Sequence, residues 1–187
     1  AAYHVWLLKM TGQEDHIVGT PVSGRSHVEI EPLIGMFVNT LAIRCQPRAE
    51  QTFVQFLAQV KERVLRAYEH AEYPLEELIE KLNIPRDLSR NPLFDTLFVF
   101  QNMEQTELAI PGLRIQPYEF AWRAAKFDLT WTVVEKETLE ITIEYNTSLF
   151  KRTTIEKMMD DFQHLLQQLI TQPERRLSEV ELVTPEE

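Results

Sequence analysis

Two periods of apolar residues run through this chain, one of two and one near 3.6. Over residues 36–45, Phe37, Asn39, Leu41, Ile43 and Cys45 fall on one side and Val38, Thr40, Ala42 and Arg44 on the other, which is the alternation of a β-strand. A second strand is predicted over residues 16–22. The loop between them holds Gly24 and Pro32 and enters the later strand through Gly35, so glycine and proline set its bends. Asn39 stands in an apolar row. An unpaired buried carboxamide costs about 1–3 kcal/mol, so either the fold satisfies it or a ligand does.

The helical period appears elsewhere. Residues 1–10 are apolar, lack breakers and run to Gly12, as the last turns of a helix with a glycine stop do. A start inside a helix predicts that the chain is an excerpt. Tyr3, Val5, Trp6, Leu7, Leu8 and Met10 have no complete amphipathic partner in view, so they are expected to leave an exposed apolar patch and drive self-association. Thr52 and Gln55 form a capping-box pattern ahead of a stripe of Phe53, Phe56, Leu57, Val60, Val64, Leu65 and Tyr68. Pro74 is expected at the first position of a short helix that turns Leu75, Leu78, Ile79 and Leu82 inward. Thr153 and Glu156 are expected to cap a long helix carrying Ile155, Met158, Met159, Phe162, Leu165, Leu166, Leu169 and Ile170, which stops at Pro173.

Three further strands are predicted, with a fourth, weak one near residues 113–120 after a loop over 102–112. Residues 94–101 are apolar on both sides, with Phe94, Phe98 and Phe100 opposite Leu97 and Val99, and such a strand calls for cover on both faces. Residues 127–133 and 139–145 alternate as a half-exposed hairpin joined by 135–138. Together the elements predict an α+β sandwich whose mixed sheet is covered by helices. Residues 1–172 read as one lobe. Residues 173–187, polar with spaced Leu177, Val180 and Leu182, read as a tail packed loosely before an interdomain linker.

Composition narrows the function classes. The 187 residues are 44% hydrophobic and 26% charged, ordinary globular usage for one domain or one large lobe. Nineteen Lys and Arg against 29 Asp and Glu give a net charge of -10, and the cations are scattered, which argues against nucleic acid as a partner. The single cysteine, Cys45, cannot form an intrachain disulfide and reads as a small buried hydrophobe in a reducing compartment. No signal-like segment opens the chain and no apolar run approaches the ~18 residues of a membrane span. A soluble cytoplasmic protein is the expectation.

Self-contained chemistry is not visible. His4, His16, His27, His70 and His164 lie far apart without metal-ligand spacing, so no metal is expected; His164 falls on the polar side of the last helix. Walker, GxGxxG and GxSxG patterns are absent. Ser148 and Lys151 match SxxK, but its companion motifs are missing. Asn146, Thr147 and Ser148 form a glycosylation sequon that carries little weight without a signal peptide. Glu76, Glu77 and Glu80 read as the solvated face of a short helix.

Five stretches, GTPVSGR at 19–25, IGMFVNTLAIR at 34–44, YPLEELIEKL at 73–82, RDLSRNPLF at 86–94 and KFDLT at 126–130, occur in the order and spacing of condensation domains of nonribosomal peptide synthetases, and the chain resembles that family over essentially its whole length. Ala71, Glu72 and Leu75 stand where the family usually has an amide, Asp and Phe. The resemblance implies a chloramphenicol-acetyltransferase-like lobe, the second of two arranged as a V around a tunnel. Carrier-protein phosphopantetheine arms enter that tunnel from two sides, one with a donor acyl or peptidyl thioester and one with an acceptor aminoacyl thioester. The family's HHxxxDG motif belongs to the first lobe, and this sequence has no His-His pair.

The resemblance therefore implies no catalytic residue in this chain and no directly bound cofactor. Its implied partners are the missing N-terminal lobe, donor and acceptor peptidyl carrier proteins and an adjacent adenylation domain, toward which the final LVTPEE resembles a linker. It sets Arg25, Gly35, Phe37 and Asn39 at the tunnel floor. Arg25 would pair with the carboxylate of the HHxxxDG loop, and a latch onto the first lobe is expected within residues 102–126. Two alternatives stay open: a non-catalytic carrier-protein or partner-binding module, and a lobe of an epimerisation domain, against which the wording IGMFVNT argues.

Overall fold

The computed structural model describes residues 1–85, 87, 90–102, 112–113 and 124–182. The sheet follows from the alternating stretches. Strand β1 (His16–Val22) pairs antiparallel with β2 (Asn39–Cys45), and β3 (Thr96–Gln101) lies between β1 and β4 (Leu129–Glu135), parallel to both. β5 (Leu139–Tyr145) closes an antiparallel hairpin with β4, giving a mixed five-stranded order β2-β1-β3-β4-β5. Register sorts the side chains. Val18 opposes Ile43, Phe98 pairs with Trp131, and Trp131 opposes Ile143, so these residues share one face.

Helices α1 (Ala2–Thr11), α2 (Phe53–Glu69) and α4 (Arg152–Thr171) supply the core residues that meet this face. Thr52 and Gln55 cap α2 reciprocally, as the pattern predicts. The inner row of α2 is narrower than expected: Phe56 and Val60 are buried, whereas Leu57, Leu65 and Tyr68 are exposed. α4 begins at Lys151 without a side-chain cap. The expected Thr153–Glu156 capping box is absent because the helix already starts at Arg152, which puts Thr153 inside its first turn; Glu156 instead pairs with Arg152 at 2.8 Å.

The first helix corrects the expected patch. Tyr3, Val5 and Trp6 are buried, and Trp6 packs against Trp131 and Phe162 at ring separations of 5.2 and 6.4 Å. The partners missing from the local pattern lie more than a hundred residues along the chain. The helix is apolar nearly all round because it is enclosed, as such helices are, and it ends in the left-handed region at Gly12. Tyr3 also bonds Thr96 Oγ1 at 2.5 Å, and burial pushes its phenol pKa up.

The tail is likewise tighter than expected. Residues Leu177–Glu179 form a 3-10 turn in which Leu177 is wholly buried, with Val180 beside it. Leu177 N–H donates to Gln51 at 2.8 Å and Ser178 N–H to Ala49 at 2.8 Å. Apolar side chains here complete the core between α2 and α4.

Strand limits also move, β4 running over Leu129–Glu135 rather than 127–133. β2 starts at Asn39, where its pairing with Val22 begins, so residues 36–38 have no ladder and are not strand. β3 starts at Thr96, where its pairing with Leu129 begins, and the Asp95 carbonyl just ahead of it accepts from Asp128 N–H. Phe98 packs with the core against Tyr3, whereas Phe94 lies outside that cluster. It stacks on Phe127 at 5.6 Å and lies against Gly19, where an added Cβ would collide with its ring. The weak strand expected near 113–120, and most of the stretch expected to hold a latch, lie outside the described residues.

Candidate functional site

The loop from residue 23 to 38, which joins β1 to β2, carries most of the residues singled out from the sequence. Gly24 has φ 63, and a Cβ there would run into the Phe37 carbonyl, so the tight crossing at the mouth of the loop requires glycine. Arg25 then folds back over the Phe37 ring, 4.4 Å from its centroid. Its Nη1 donates to the Ile30 carbonyl and, at 3.0 Å, to that of Glu31. These two carbonyls lie at the end of the turn Val28–Ile30. A guanidinium that stacks and donates in one plane suits this place better than a lysine ammonium would.

Beyond that turn the loop faces solvent with apolar side chains. Ile34 is 104% exposed, Met36 89% and Val28 76%. A Cβ on Gly35 would stand 3.2 Å from the Phe37 ring, so the glycine lets the chain pass close over it. Arg25, Gly35 and Phe37 thus form one packed unit that supports an apolar tip.

Asn39 is turned another way. Its Nδ2 donates to the carbonyls of Ala71 and Tyr73, both at 2.8 Å, and its Oδ1 accepts from Thr40 N–H at 2.8 Å. Of the options left open by the sequence, the fold itself satisfies the carboxamide. At the other end of the loop Ser26 Oγ donates to Glu72 at 2.8 Å. Ser26 carries no signal in the sequence, and Ala71, Glu72 and Tyr73 stand out there only through the family resemblance, not as partners of this loop; the demand that Asn39 find partners was the available signal, but it carried no address.

α3 (Leu75–Lys81) follows this turn, with Pro74 as its N-cap residue rather than its first helical one. None of its side chains is fully buried, and Leu82 is exposed. Glu76, Glu77 and Glu80 line an open surface depression with Ile79, Asn83 and Ile84.

The remaining chemical candidates resolve into structure. Asn146 Oδ1 accepts from Ser148 N–H and Lys151 is the N-cap residue of α4, so the SxxK match is a turn leading into a helix. Cys45 is buried, and desolvation raises its thiol pKa. His4 and His16 lie 6.2 Å apart within the fold, and burial lowers both imidazoles, His4 to about 3. Among the described residues no group of three His, Cys, Asp or Glu could hold a metal, and no helix is long and apolar enough to cross a membrane.

The condensation-domain family model matches residues 1–187. Gramicidin S synthase 2 of Aneurinibacillus migulanus is 48% identical over 189 residues, and tyrocidine synthase 2 of Brevibacillus parabrevis 50% over 190, each covering 100% of this chain. The chain spans 4% and 5% of those two relatives. Among solved structures, a holo four-domain nonribosomal peptide synthetase bound to AMP and glycine superposes with a TM-score of 0.89 at 24% identity, over 98% of this chain and 15% of that one. The X-domain of teicoplanin biosynthesis, in complex with OxyB, superposes at 0.84 with 26% identity over 98% of this chain and 41% of that one. The first condensation domain of the CDA synthetase gives 0.75 at 20% identity, over 98% of this chain and 41% of that one. Their shared fold is the chloramphenicol-acetyltransferase-like α+β arrangement described above, and the chain belongs to the condensation-domain family of nonribosomal peptide synthetases.

Proposed function

We propose that this chain is the second lobe of a condensation domain and forms one wall of the chamber in which a donor acyl or peptidyl thioester meets an acceptor aminoacyl thioester. One observation carries the reading: a match along its whole length to a family whose solved single domain it covers by 41%, in a sequence without a His-His pair. In the reaction the acceptor amine attacks the thioester carbonyl, a C–N bond forms, the C–S bond breaks, and the nitrogen's proton is balanced by protonation of the leaving thiolate. A thioester is already activated, so orientation of two tethered substrates supplies much of the acceleration. This lobe contributes shape and fixed dipoles.

In this reading Arg25, Gly35, Phe37 and Asn39 belong to the chamber floor, and Arg25, whose Nη1 serves its own loop, meets a carboxylate of the first lobe. Phosphopantetheine arrives on carrier proteins, and an adenylation domain follows. The test supplies loaded donor and acceptor carrier proteins to the chain alone and to the chain joined to its upstream portion. Dipeptidyl thioester should form above the spontaneous rate with the second and not the first; turnover by the chain alone overturns the reading.

A partner-binding role is favoured by one observation, that the similar X-domain is found in complex with OxyB. It predicts a different outcome from the same proteins: the joined domain would bind a protein partner and make no peptide bond.

A further inference from the structure

The apolar tip of the 23–38 loop stands in water, and hydrophobic free energy pulls such a tip back onto its own surface. Something must hold it out. The loop's two ends both grip one short turn. At the exit, Asn39 donates twice, to Ala71 and Tyr73 carbonyls; at the entry, Ser26 donates to the Glu72 carboxylate, each at 2.8 Å. Three consecutive residues are thus held from opposite ends of the same loop.

The gripped turn is itself rigid. His70 N–H and Ala71 N–H bond back to Ala67 and Tyr68, Tyr73 N–H bonds to His70, and Pro74 then fixes the start of α3. Its position is set by α2, whose inner row is locked in the core through Phe56 and Val60. Inside the loop, Arg25 ties Phe37 to the carbonyls of Ile30 and Glu31. The arrangement is a clamp at the base with a strut across the middle.

We propose that the α2–α3 turn is the anchor that sets the projection of this loop, with Asn39 and Glu72 as positioning residues that act through it on Ile34 and Met36. The functional half of this inference rests on the second-lobe reading; the mechanical half does not. Loop amides should exchange faster once the clamp is opened, while the core that holds α2 stays closed.

The test measures amide hydrogen exchange over residues 26–38 in the 187-residue chain. Ser26→Ala and Glu72→Ala should speed exchange there by about threefold, and Asn39→Ala by about tenfold or more, following the loss of one solvent-exposed hydrogen bond against two, one of them part-buried. Ser26→Thr and Glu72→Gln, which keep a donor and an acceptor, should restore the slow rates. Melting of the Ser26 and Glu72 variants should stay within about 2 °C of the unaltered chain. Unchanged exchange in all three alanine variants overturns the anchor.

The same substitutions in the domain joined to its upstream portion separate mechanics from function. Ser26→Ala and Glu72→Ala should lower kcat by a factor of about three with KM for the loaded acceptor carrier protein unchanged, and Ser26→Thr should recover it. Faster exchange with unaltered kcat overturns the positioning role and leaves the second-lobe reading standing. If the unaltered joined domain makes no peptide bond, the second-lobe reading fails, and the exchange result alone decides the anchor.

Discussion

Replacing Leu177 with alanine measures how firmly residues 173–182 belong to the fold. Leu177 is wholly enclosed, and the backbone on each side is fixed: its N–H reaches Gln51 at 2.8 Å, Ser178 N–H reaches Ala49 at 2.8 Å, and Val54 N–H reaches the Pro173 carbonyl at 3.1 Å. A site pinned this way cannot collapse around the missing atoms. The loss should therefore fall in the upper half of the usual range for Leu→Ala, about 3–5 kcal/mol. At about 2–4 °C per kcal/mol for a chain of this size, the melting point should drop by roughly 6–20 °C. Urea unfolding followed by tryptophan fluorescence suits the assay, because Trp6 and Trp131 sit in the same core. Ile170→Ala, at a side chain 72% exposed on the helix that packs there, is the control and should cost under about 0.5 kcal/mol. A loss below about 1 kcal/mol for Leu177→Ala, with the urea slope unchanged, would refute the reasoning and make residues 173–182 an appendage.

Two further outcomes are expected. Acid should destabilise the fold through its buried histidines: desolvation first, then the positive amino end, His16 and Arg63, hold His4 down to about 3, and burial also lowers His16. The unfolded chain takes up these protons below about pH 6.5 while folded His4 stays neutral to near 3, so stability is full above the unfolded value and falls as pH drops, by up to about 1.4 kcal/mol per pH unit for each ring. His4→Leu should flatten that limb in urea titrations between about pH 6 and 4; a limb as steep as in the unaltered chain counts against the account. The isolated chain should also self-associate and bind an apolar dye through Ile34 and Met36. Sedimentation should show the Ile34→Ser, Met36→Ser double variant as monomer, and an unaltered chain that is monomeric and dye-free at high concentration contradicts this.

What could be read from the sequence was what local pattern encodes. The Thr52 capping box, the stop at Gly12, the β4–β5 hairpin and the alternation through Leu41, Ile43 and Cys45 each depend on residues within a few positions of one another, and the structure has all four. What escaped depends on distant partners. α1 was expected to leave an exposed patch because Trp131 and Phe162, which enclose Trp6, are remote in sequence. Leu177 and Val180 read as sparse apolar residues in a polar tail, and nothing nearby reveals the gap between α2 and α4 that they fill. The strand reading of residues 36–38 failed for a related reason: alternation continues past the point where Val22 ends the ladder.

The candidate site divides in the same way. Gly24 was legible as a bend with Arg25 beside it, whereas Phe37 reads as strand in the sequence; the structure places it ahead of β2 and packs Arg25 against its ring. The need for partners at Asn39 followed from its apolar row. Which groups would answer it did not, since Ala71 and Tyr73 offer backbone carbonyls that no side-chain pattern marks.

If the chain is the second lobe proposed above, its projecting loop is the wall turned toward the rest of that domain. Hydrogen exchange over residues 28–38, compared between the 187-residue chain and the same chain joined to its upstream portion, tests it most directly. Covering of Ile34 and Met36 should slow exchange across that stretch by about tenfold or more, with little change in the already closed strands β4 and β5. Equal exchange in the two proteins, in a joined domain that forms dipeptidyl thioester, would contradict the claim.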